Sequence, residues 1–130
     1  MADSFVYLVG NLTDDPDLRY TPTGQAVANF RLAVTPRVQD GGQWKDADTS
    51  FFRVNLWRDQ AEHLAESVGK GDRLLVAGRL RQRTWQDKTS GEQRSIVEVD
   101  ADEVGPSLKF ATAKPQRTSR KATGNGEADA

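Results

Sequence analysis

The chain has no cysteine, a single histidine, and no apolar run approaching the roughly 20 residues a helix needs to span a bilayer. Without cysteine there are no disulfides, no thiolate zinc sites and no sulfur nucleophile. His63 has no second histidine with which to form a ligand set, so it reads as a solvated side chain on a helix. Phosphate-cradling glycine loops are missing, as are clustered carboxylates beside a partner base. Neither catalysis nor a metal or other cofactor is therefore expected. A dominant charge is also missing: 18 Lys and Arg stand against 19 Asp and Glu, for a net charge of −1 and an isoelectric point near 5.8. Residues 1–110 sum to −3 and residues 111–130 to +2, so no acidic tail masks a basic domain. Any affinity for a polyanion must come from local placement of charge. The N-terminus has no basic region ahead of its apolar run, which makes a soluble cytoplasmic protein with no membrane association the expectation.

What the chain does have is alternation, in a length sufficient for one domain with its own core. Val6 and Leu8 alternate with Tyr7 and Val9 in a first strand that stops at the turn Asp14-Asp15-Pro16. After a second turn cluster at Tyr20 to Gly24, residues 25–35 place Ala28, Phe30, Leu32 and Val34 on one face and Asn29, Arg31 and Ala33 on the other. The polar stretch 36–50, with Gly41-Gly42 at its middle, reads as a long β-hairpin carrying Val38 and Trp44. A third strand covers 51–57. Asp59 and Glu62 have capping-box spacing, and Ala61, Leu64, Ala65 and Val68 recur at helical intervals before Gly69, predicting one short amphipathic helix. Lys70-Gly71-Asp72 then turns into a fourth strand and a second hairpin with its tip at Ser90-Gly91. The fifth strand, about 95–104, sets Val97, Val99 and Ala101 against Glu98, Asp100 and Asp102, an acidic face expected to avoid phosphate. From Ala111 onward the composition buries too little apolar area to offset chain entropy, which predicts disorder over 111–130.

Two strands carry the chemistry. In the fourth, Arg79, Arg81, Arg83 and Trp85 project from one side; in the third, Phe51, Arg53, Asn55 and Trp57 share a face opposite the apolar row Phe52, Val54 and Leu56. Cations interleaved with flat rings suit a single nucleic-acid strand, whose phosphates take the charge and whose unpaired bases stack on the rings. Burying Trp85 would drag three guanidinium groups into the core with it, at high cost. The plainer account makes the arginines a solvated edge, or partners of Glu98 and Asp100 across the sheet. Trp44, near a hairpin tip, could equally stack on a base or pack on a neighbouring subunit.

Five strands with a helix between the third and fourth is the order of an OB-fold, a mainly all-β, five-stranded Greek-key barrel with long hairpin loops that bind oligonucleotides. Val9-Gly10-Asn11-Leu12, Asp15-Pro16, Arg19-Tyr20, Gly24, Ala26-Val27-Ala28-Asn29-Phe30, Lys70-Gly71 and Gly78 to Trp85 resemble, in order and spacing, the bacterial single-stranded-DNA-binding protein family over about residues 4 to 104. Residues 102–110 resemble the actinobacterial branch, with its clamp-like segment after the barrel.

The resemblance implies a homotetramer, a dimer of dimers, that wraps single-stranded DNA without sequence preference in replication, recombination or repair, associated with the nucleoid. It places stacking rings at Phe51, Trp57 and Trp85 and phosphate-facing cations at Arg53, Lys70, Arg81 and Arg83, to which strand parity adds Arg79. It also implies an OB domain with its clamp over 1–110 and a tail over 111–130. The chain departs from the family's pattern in two places. Val38 stands where many members carry a stacking Trp, which leaves Trp44 as the candidate replacement. The terminal Gly124 to Ala130 lacks the acidic tip ending in Phe that recruits repair enzymes, so an accessory paralogue with weak recruitment is the reading. A protein-interaction OB module and an RNA-binding OB protein are the alternatives.

Overall fold

The computed structural model describes residues 3–119. Among them the period-2 runs become strands β1 (Phe5–Leu12), β2 (Asp17–Tyr20), β3 (Ala26–Val34), β4 (Arg37–Asp40), β5 (Gln43–Asp46), β6 (Ser50–Trp57), β7 (Arg73–Gln86) and β8 (Gln93–Pro106), with helix α1 (Asp59–Ser67) between β6 and β7. The five long strands close a ring in the order β1-β7-β8-β6-β3, and β3 returns to β1 through Asn11 and Leu12. All its pairings are antiparallel except β6 with β8. This is the Greek-key OB barrel.

The apolar face of each of the five long strands turns inward. Leu32, Leu56, Leu74, Val54, Val76 and Val99 are fully buried, and Ala61 and Leu64 of α1 plug one end of the barrel. At roughly 25 cal/mol per Å² of apolar surface removed from water, these side chains supply the main driving force for closure. Closure also demands close backbone approach. A Cβ at Gly10 would collide with the carbonyl of Ala33, where β1 swings over to β3. One at Gly78 would meet the Asp100 carbonyl at 2.5 Å, beside the β-bulge at Ala77/Gly78.

Two local expectations change. The connector after the first strand holds a strand of its own, β2, paired with β3 from Asp17↔Asn29 to Tyr20↔Ala26. It is too short to announce itself by alternation. The helix has no capping box: its N-cap is Arg58, at φ 67°, with no side-chain hydrogen bond, and the Glu62 carboxylate instead accepts from the Tyr20 hydroxyl at 2.8 Å. Residues 111–119 form no helix or strand and line a cavity together with α1, and the Thr118 hydroxyl lies 3.3 Å from His63 Nε2. Tail residues 120–130, including the Gly124–Ala130 tip, lie outside the described residues.

Candidate functional site

On the outer surface of the barrel, β3 and β6 run antiparallel with Asn29↔Asn55, Arg31↔Arg53 and Ala33↔Phe51 in register. Residues directly opposite each other in a ladder leave the sheet on the same side, so all six project outward together. Arg83 of β7 and Glu98 of β8 complete the floor, and the loop before β2 with Arg19 forms a wall, enclosing an open trough of about 530 Å³. Its lining includes four arginines: Arg19, Arg31, Arg53 and Arg83.

The floor is a connected polar network. The Asn29 amide donates to Asn55 Oδ1 at 2.6 Å, and the buried Asn55 donates from Nδ2 to Glu98 Oε1 at 2.9 Å and Asp100 Oδ1 at 3.2 Å. Arg83 Nε donates to Glu98 Oε1 at 2.9 Å, while Arg53 Nη1 stands 3.7 Å from the other carboxylate oxygen. Burial by itself would raise the Glu98 carboxyl above its ordinary range. The hydrogen bonds from Asn55 and Arg83, with the charges of Arg83 and Arg53, outweigh burial and hold it below that range, so Glu98 stays ionised. One buried carboxylate thus anchors two guanidiniums, each with further N–H groups free to point outward.

Similar pairs run the length of the β7–β8 ladder. Arg81 lies 3.4 Å from Asp100 and Arg79 lies 3.0 Å from Asp102. The cross-strand account of the arginine row is therefore the one realised in the free protein. The acidic side of β8, expected to stay away from phosphate, shares a face with the cations instead. Register decides this, and parity along a single strand cannot.

The expected rings are all partly in water: Phe51 is 52% exposed, Trp57 40%, Trp85 47% and Trp44 61%. Phe51 and Trp57 sit at opposite ends of β6, and Trp85 lies out on the β7–β8 hairpin opposite Arg94. Arg53 and Arg83 meet in the trough through Glu98, whereas Arg79 sits midway along β7, outside the trough lining and paired with Phe5 of β1. Lys70 stands apart in the turn after α1, its backbone N–H held by Asp15 Oδ1 at 2.8 Å. In the β4–β5 ribbon Val38 pairs with Lys45 and Trp44 with Gln39. Trp44 and Val38 therefore leave opposite faces of the ribbon, and Trp44 does not fill the position of a ring at Val38. Asn29, Asn55, Arg19 and Arg31 belong to the trough but not to the expected set. Strand parity already put Asn29, Arg31 and Asn55 on outward faces, and the missing signal was which strands lie side by side.

The model of the "Single-strand binding protein family" matches residues 4–107. The chain is 51% identical over 121 residues to a single-stranded DNA-binding protein of Mycobacterium tuberculosis, covering 92% of this chain and 73% of that protein. It is 52% identical over the same length to one from Mycolicibacterium smegmatis, with the same shares. Among solved structures it superposes on a small single-stranded DNA-binding protein from Streptomyces coelicolor with a TM-score of 0.71 at 35% identity, covering 83% of this chain and 97% of that one.

Proposed function

The chain belongs to the single-strand binding protein family, and from that premise we propose how it binds single-stranded DNA. Unpaired bases stack on Phe51, Trp57 and Trp85, while Arg53, Arg81 and Arg83 contact the phosphates between them. Lys70, Arg79 and Trp44 extend the same path at its margins. The supporting observation is the placement of half-exposed rings among guanidinium groups on the outer faces of β6 and β7. Each stacked base contributes about 1–3 kcal/mol, and each phosphate contacted changes the slope of log affinity against log salt by roughly −0.7. Paired bases are already stacked on one another, so duplex DNA gains little from the rings. Stacking reads no base edges, so sequence preference is slight.

The protein works as a homotetramer built from dimers, in replication, recombination or repair, near the nucleoid. Support for assembly comes from β1, whose residues 5–10 pair, among the described residues, with β7 on one side only and carry Phe5 and Tyr7 at 72% and 69% exposure. A titration of poly-dT at two salt concentrations, followed by tryptophan fluorescence alongside a mass measurement in solution, tests the reading. Salt-sensitive quenching with poor competition by duplex DNA is expected. Equal competition by duplex DNA would refute stacking as the basis of binding, and tighter binding of a matched RNA oligomer would shift the substrate to RNA.

A further inference from the structure

Of the four arginines lining the trough, three have carboxylate partners: Arg19 with Asp17 at 2.8 Å, Arg83 with Glu98 at 2.9 Å, and Arg53 with Glu98 at 3.7 Å. Arg31 has none within 4 Å among the described residues. Its guanidinium carbon lies instead 4.3 Å from the centroid of the Phe51 ring, covering one face of it. In the β3–β6 ladder Arg31 is directly opposite Arg53, and like charges in that relation destabilise a sheet. The single carboxylate beside Arg53 also serves Arg83, so the two opposed cations are left short of negative charge. The fold has no use for a charge at Arg31, since the side chain is exposed and the core lies on the other face of β3.

We propose that Arg31 is a phosphate-binding residue that acts as a unit with Phe51. The inference rests on the single-stranded DNA reading above and adds a contact to it. With one ring face occupied by the guanidinium, a base stacks on the other, and the cation strengthens the stack through the ring. The phosphodiester beside that base settles between Arg31 and Arg53, where its charge replaces the repulsion between them. The free protein thus holds an anion site ready in the ladder, next to the ring that fixes the neighbouring base.

The test is the salt dependence of oligo-dT binding for the full chain and three variants. Arg31→Gln should bind roughly tenfold more weakly at low salt, with a slope of log affinity against log salt shallower by about 0.7, the value for one phosphate on a single strand. Arg31→Lys, which keeps the charge, should retain the wild-type slope. Lys114→Gln, the same change of charge in the segment beside α1, should leave both affinity and slope as they were. A wild-type slope in Arg31→Gln overturns the proposal while leaving the DNA-binding reading intact, and so does an equal loss in Lys114→Gln, which would reduce the effect to overall charge. If the wild-type chain itself bound oligo-dT without salt sensitivity, both the function and this contact would be refuted.

Discussion

Trp85 leaves 47% of its surface in water, an arrangement that costs apolar hydration until something flat covers the indole. Trp85→Ala should weaken oligo-dT binding by about 1–3 kcal/mol and reduce the fluorescence quenching that accompanies it; unchanged affinity would remove Trp85 from the path. Glu98 works from below the surface. Its carboxyl titrates below the ordinary value of 4.5, so its contribution to stability is fully present above that value and disappears as pH falls through the lowered folded value. Glu98→Gln should cost about 1–3 kcal/mol near neutral pH, because the charged hydrogen bond from Arg83 is weakened and the buried carboxylate that anchors two guanidiniums is lost. Denaturant titrations from pH 7 downward should show wild type and variant converging only below pH 4.5. A gap that persists undiminished at lower pH would mean the loss is one of packing rather than of charge.

At the scale of the element, the β7–β8 hairpin decides what the arginines do. Parity was enough to place Arg79, Arg81, Arg83 and Trp85 on one side of β7 and Glu98, Asp100 and Asp102 on one side of β8. What parity could not supply was the register, with Arg79↔Asp100 and Arg81↔Glu98 beyond the bulge at Ala77/Gly78; a slip of one residue would have sent the carboxylates to the other face. The same limit hid β2, whose pairing with β3 rather than its own composition makes it a strand. It also hid Arg58 as the N-cap, since a residue other than glycine at φ 67° is not foreseen from spacing. By contrast, the chain order of the five long strands and the helix, and the shared face of Phe51, Arg53, Asn55 and Trp57, follow from the patterning of the sequence, whereas the order of those strands around the barrel does not. The register has an energetic consequence. Phosphates must compete with Asp100 and Glu98 for Arg81 and Arg83, so replacing both arginines by Ala should flatten the salt slope by no more than about 1.4, twice the single-phosphate value. An unaltered slope would show that these side chains keep their carboxylates in the complex and never reach DNA.

For the molecule as a whole, a net charge of −1 gives no long-range pull toward a polyanion, and the proposed homotetramer would raise affinity for long DNA by linking several sites. The surface available for that link is the outer face of β1. Among the described residues, 5–10 pair with β7 alone, leaving one edge of backbone N–H and C=O groups unpaired by the barrel, and Phe5 and Tyr7 stand exposed beside it. An open edge flanked by aromatics invites a second copy of the same strand across a two-fold axis. Tyr7→Glu places a carboxylate on this strip. In a separate subunit the side chain is already 69% exposed, so the fold should tolerate the change and circular dichroism should be unaltered. Within a subunit interface the charge would have to be desolvated without a partner, at a cost of several kcal/mol, enough to dissociate a micromolar contact. Light scattering should therefore report a lower mass for the variant, and affinity for poly-dT should fall much further than affinity for a short oligomer that occupies one barrel. A variant that keeps the wild-type mass would place the assembly surface away from β1, while parallel losses on long and short DNA would mean that Tyr7 acts in the binding path itself.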